Sequence, residues 1–95
     1  MTAETLAQKY ITNTEKTLKE TQWTKGPLTV TDESINQVKD YINAYLKDAK
    51  YFSEQKRFET SLTSIAYCEG LIDALKLIGA AKTKTQKNKE TEEQK

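Results

Sequence analysis

Between residues 35 and 52 apolar side chains recur every three or four positions, at Ile35, Val38, Ile42, Tyr45, Ala49 and Phe52. That spacing is one face of an α-helix. If the helix continued, Lys56 and Glu59 would come next on the stripe; instead the pattern restarts out of phase at Phe58, Leu62 and Ile65. A phase slip with no Gly or Pro inside it predicts a tight turn around Glu54 to Arg57. A connection that short forces two antiparallel neighbouring helices. The first of the pair starts near Thr31 or Ser34, with Asp32 and Glu33 in the first turn, where the helix dipole favours negative charge. The other runs from about residue 57 to residue 79, where Gly79 closes the apolar pattern.

A further helix precedes them. Ala3, Leu6, Ala7, Tyr10, Ile11, Thr14 and Leu18 lie at helical spacing within residues 3 to 22 and form one apolar stripe on a polar helix. Thr2 is its N-cap, and Thr5 stands where a capping box prefers Glu. Its many threonines make it intrinsically weak, so it needs tertiary packing. Gly26-Pro27 breaks the pattern, Leu28 and Val30 read as a short extended piece, and Trp23 is expected to fold back as a lid on one end. The expected fold is all-α: an up-down-up antiparallel three-helix bundle over residues 1 to 81. Residues 82 to 95, "KTKTQKNKETEEQK", lack apolar side chains and are expected to form a disordered charged tail.

Composition removes most chemistry. Histidine is absent and Cys68 is the single cysteine. Together these exclude a Ser-His-Asp triad, a Cys-His pair, histidine metal sites, a four-cysteine zinc site and an internal disulfide. The expectation is a non-enzyme without a cofactor or a metal. No apolar run long enough to cross a membrane occurs, and no leader pattern opens the chain, so a cytoplasmic location is expected. Residues 1 to 81 carry ten basic and eleven acidic side chains, which is no platform for nucleic acid.

Three sets of residues stand out. Ala66, Gly70 and Ala74 fall at i, i+4 and i+8, a line of small residues expected to let a neighbouring helix or a large aromatic approach closely, since Gly in a helix interior costs about 1 kcal/mol relative to Ala. Tyr41, Tyr45, Asp48, Glu69 and Asp73 form a candidate polar cluster between the last two helices. Glu69 and Asp73 are read as a solvent-reachable edge beside Lys76, because a working acid–base pair needs one carboxyl held protonated. Lastly, the third helix is apolar over much of its circumference. Tyr67, Leu71, Leu77 and Ile78 exceed what a three-helix core can absorb and mark a candidate partner surface.

Residues 45 to 80 also resemble the Domain of Unknown Function 357 family, a small archaeal family. The resemblance rests on Asp48-Ala49 followed by Phe52, then Tyr67, Gly70, Asp73-Ala74 and Gly79 in order. It implies a three-helix bundle in an archaeal cytoplasm and carries no activity with it. The family's turn between the second and third helices usually contains Gly, where this chain has Gln55-Lys56. The positions flanking Gly70 usually hold ring-bearing residues, where this chain has Glu69 and Leu71.

The leading functional expectation is a helical interaction module that binds a protein partner, or a second copy of itself, through the third helix. The alternatives are weak, salt-sensitive association with nucleic acid or ribonucleoprotein through Lys82 to Lys89, and a helical accessory domain for an enzyme encoded elsewhere, with Asp48, Glu69 and Asp73 contributing to a composite site.

Overall fold

The computed structural model describes residues 2 to 84, and all regular structure in that span is helical: α1 (Ala3–Glu20), α2 (Asp32–Glu54) and α3 (Phe58–Leu77). The expected tail lies outside the described residues except for its first three positions. Each of the first two helices begins on a threonine. The Thr2 hydroxyl accepts the Thr5 N–H at 3.1 Å, and the Thr5 hydroxyl accepts the Thr2 N–H at 3.1 Å, so Thr5 plays the part Glu usually takes in a capping box. Thr31 caps α2 by accepting the Ser34 N–H at 3.0 Å.

The two helix ends that bound α3 use one device. At the end of α2 the Arg57 N–H bonds the Phe52 carbonyl at 2.9 Å and the Lys56 N–H bonds that of Ser53 at 3.0 Å. At the end of α3 the Ala80 N–H bonds the Leu75 carbonyl at 2.8 Å and the Gly79 N–H bonds that of Lys76 at 3.1 Å. Both are Schellman closures, which need a left-handed residue directly after the cap. Gly79 supplies it with φ of 81° at no steric cost, whereas at the first closure the residue is Lys56, with φ of 62°. The guanidinium of Arg57 then sits 4.9 Å from the Phe52 ring centre, a cation–π contact where such closures usually place an apolar one. Three residues therefore reverse the chain, and the turn falls where the phase slip requires it.

α2 and α3 lie antiparallel and close together. The Ser61 hydroxyl donates to the Ala49 carbonyl at 2.7 Å, and the Cys68 thiol donates to the Ile42 carbonyl at 3.3 Å. Side chains of one helix reach the backbone of the other only where nothing bulky intervenes, and Ala49, Ser64 and Cys68 are the buried small residues at this contact. Leu75 is the fourth buried residue, toward the far end. Ile35, Val38, Ile42 and Phe52 are half-buried along the predicted stripe of α2.

Phe58 and Leu62, by contrast, are exposed, and only Ile65 of their predicted stripe is half-buried. The face of α3 that meets α2 is the line Ser61, Ser64, Cys68 and Leu75 instead. Hydroxyl and thiol groups there satisfy themselves on α2 carbonyls, which makes a less apolar line the better contact face.

α1 stands off from this hairpin. No Cα in it comes within 8 Å of a Cα in α2 or α3, and none of its residues is buried. Its start faces the start of α3 across an open groove of ≈ 710 Å³, lined by Ala3, Leu6, Ala7 and Tyr10 on one side and Glu59, Thr60 and Thr63 on the other. The linker that follows reaches the opposite end of the hairpin, where Leu28 and Val30 border Ile35, Val38, Leu75 and Ile78. The chain order is thus up, down, up, with α1 set apart. Trp23 is 72% exposed and covers no end of the helices, a correction to its expected place as a lid: Leu28 and Val30 are the linker residues at that end.

The left-handed Lys56 has a measurable consequence. An L-residue in that conformation costs about 1–2 kcal/mol, and Gly removes the cost at the expense of backbone entropy. Lys56→Gly is expected to stabilise the hairpin by about 0.5–1 kcal/mol, read as a Tm about 4 °C higher by circular dichroism.

Candidate interaction surface

The register of the hairpin fixes which side chains share a face. With Ser61 against Ala49 and Cys68 against Ile42, successive residues at about 100° place Thr60, Thr63, Tyr67, Gly70, Ala74 and Ile78 on one flank of α3. On α2 the corresponding flank holds Tyr41, Tyr45 and Asp48. One contact joins the two: the rings of Tyr45 and Tyr67 meet edge to face with centroids 4.5 Å apart. The flank is open to water. Tyr41 and Tyr67 are about half exposed, Ile78 is 62% exposed and, beside it, Leu77 is 86% exposed; Leu71 is half-buried at the margin nearest α2.

The three predicted sets fare differently. Tyr67 and Ile78 lie on this flank, Leu71 at its margin toward α2 and Leu77 at its outer edge. The polar cluster divides. Tyr41 and Tyr45 belong to the flank and Asp48 to its α2 border, whereas Glu69 and Asp73 turn to the opposite side of α3, and all five are exposed. Asp48 is level with Ser61 and Leu62; Glu69 is about 10 Å further along α3 at ~1.5 Å per residue. No hydrogen bond joins these side chains to one another among the described residues, and no three acidic or cysteine side chains there come together as a metal site. Asp48 is thus set apart from Glu69 and Asp73 on the hairpin.

The small-residue line is the clearest departure. Ala66, Gly70 and Ala74 are all exposed, and a Cβ added at Gly70 would meet nothing within 4 Å. Among the described residues no helix packs on them. The line that does admit close packing is Ser61, Ser64 and Cys68 against Ala49. Its signal in the sequence is the same three-and-four spacing of small residues, carried by Ser and Cys in place of Ala and Gly.

No helix among the described residues is long and apolar enough to cross a membrane. What the geometry defines is a small all-α protein built on a helical hairpin, with an aromatic and aliphatic flank left open and a third helix standing beside it. The model of the family described as "Protein of unknown function (DUF357)" matches residues 9–81, and the chain belongs to that family. Neither a search of the curated proteins nor one of the solved structures finds a match.

Two substitutions locate the close contact. In dilute solution Gly70→Ala is expected to stabilise the chain by up to about 1 kcal/mol through helix propensity alone. Ala49→Leu, 2% exposed and beneath the Ser61 hydroxyl, is expected to cost about 1–3 kcal/mol by overpacking. Thermal denaturation of the two variants checks both signs.

Proposed function

We propose that this protein is a non-enzymatic helical interaction module of a reducing, archaeal cytoplasm, and that it binds a protein partner or another copy of itself through α3. The observation that carries the reading is the flank just described. Tyr45 and Tyr67 pack on each other yet remain 37% and 48% exposed, and Leu77 and Ile78 extend the same surface while more exposed still. Exposed aromatic and aliphatic side chains gathered on one flank mark a surface that gains free energy when a second surface covers it. Aromatic anchors in such a patch carry most of the affinity when it binds. The lack of histidine and the single buried thiol support a binding role over a catalytic one and fit a reducing compartment.

The test is retention of a partner from a lysate of the source cells on the immobilised full chain, compared with the double substitution Tyr67→Asp, Ile78→Asp. The reading predicts that retention falls at least tenfold in the variant while helicity stays. Hydroxyl-radical footprinting of the purified protein supplies the opposing result: Tyr67 and Ile78 protected within a single chain leave no surface to offer, and the reading fails.

A further inference from the structure

Resting on the reading above, we propose that the occupant of the open flank is α1 of a second copy of this chain, inserted reciprocally so that two chains form a two-fold dimer. A groove separates α1 from α3. Leu6, Ala7 and Tyr10 of the chain's own α1 already form one wall of it, and Thr60 and Thr63 form the other. Within one chain α1 does not close this groove, since none of its Cα atoms comes within 8 Å of a Cα in α3. The exposed flank of Tyr67, Gly70 and Ala74 continues from Thr63 along α3 to Ile78, which Leu28 and Val30 border while leaving it 62% exposed, and among the described residues no helix packs on it.

The filling has to be a helix with an apolar stripe and no partner of its own, and α1 meets both conditions. Leu6, Tyr10, Ile11 and Leu18 are 41–60% exposed, on a threonine-rich helix that is marginal in water without tertiary contacts. Its length also matches: 18 residues against the 20 of α3. Ala66, Gly70 and Ala74 then have the role that their spacing predicts, as the low ground on which a neighbouring helix lies, but the neighbour belongs to the other chain.

The linker allows the exchange. Thr21 to Pro27, ahead of the residues that border the hairpin, spans up to about 23 Å when extended, more than a helix diameter of about 10–12 Å. Gly26, at φ of 81° with open space around it, gives the chain a hinge before Leu28 fixes it to the end of the hairpin. Exchange of an identical element is a low-cost route to a dimer, since both new contacts are the same contact made twice.

The area is sufficient. A half-exposed side chain of this size has about 100 Å² left to bury. Leu6, Tyr10, Ile11 and Leu18 on the inserted helix, with Tyr41, Tyr67, Leu77 and Ile78 on and beside the flank, give ~800 Å² per helix, and the reciprocal pair gives ~1,600 Å², the standard size for a stable complex.

The experiment mixes full chains grown in ¹⁴N and ¹⁵N, measures mass by sedimentation equilibrium over roughly 1–100 µM, and identifies lysine cross-links by mass spectrometry. Lys9, Lys16 and Lys19 report on α1, and Lys76 reports on α3. The expected result is a mass of two chains, with links between an α1 lysine of one isotope and Lys76 of the other. Ile11→Asp is expected to weaken the dimer at least tenfold and to leave the helicity of α2 and α3 in place. A mass of two chains with no mixed-isotope link from α1 to α3 overturns the exchange and leaves the interaction surface standing. A mass of one chain with Tyr67 open to footprinting does the same. A mass of one chain with same-isotope links and Tyr67 protected overturns both.

Discussion

Everything in this molecule hangs on how closely the backbones of α2 and α3 approach. Ser61 reaches the Ala49 carbonyl and Cys68 reaches that of Ile42, two bonds seven residues apart on α3 that tie one helix to the main chain of the other. Neither bond forms across a bulky side chain, so the contact is built from Ala, Ser and Cys. The same choice limits the core. Small residues bury little apolar surface, and among the described residues the buried apolar ones are Ala49, Cys68 and Leu75. The hairpin is pinned in register by polar contacts and is poor in hydrophobic driving force, and larger side chains are left facing water around it. An exposed Tyr45–Tyr67 pair, an exposed Ile78 and a detached α1 all follow from that one economy.

Much of this was legible in the sequence, because helix ends and turns are local. Thr2, Thr31 and Gly79 act where their side chains and backbone freedom suggest, and the phase slip after Phe52 locates the reversal. The turn also shows what a residue pattern leaves out. The family resemblance implies Gly there, and Lys56 takes the left-handed conformation in its place, held by the Schellman bonds and by Arg57 over Phe52.

The rest was less legible because it depends on which helix faces which. Periodicity gives α3 a stripe at Phe58, Leu62 and Ile65, yet the face turned to α2 is the adjacent one with Ser61, Ser64 and Cys68. Counting hydrophobicity ranks the two serines below their neighbours, while small size, and for Ser61 and Cys68 a bond to a facing carbonyl, ranks this line above them. The small-residue line at Ala66, Gly70 and Ala74 is present at the predicted spacing but lies outside the α2–α3 contact. Glu69 and Asp73, on the far side of α3 from Tyr41 and Tyr45, are an exposed edge. Trp23 had only its size to argue for burial, and the linker's extended course leaves it in water.

The central claim is that the α2–α3 hairpin is the folded unit and that α1 is ordered chiefly by what it meets outside its own chain. Amide hydrogen exchange resolved by residue, at several protein concentrations, tests it most directly. The account predicts slow exchange centred on Ile42, Ala49, Cys68 and Leu75 that does not change with concentration, and fast exchange in residues 7 to 20 that slows as the protein is concentrated. Protection of α1 equal to that of the hairpin at every concentration would contradict it.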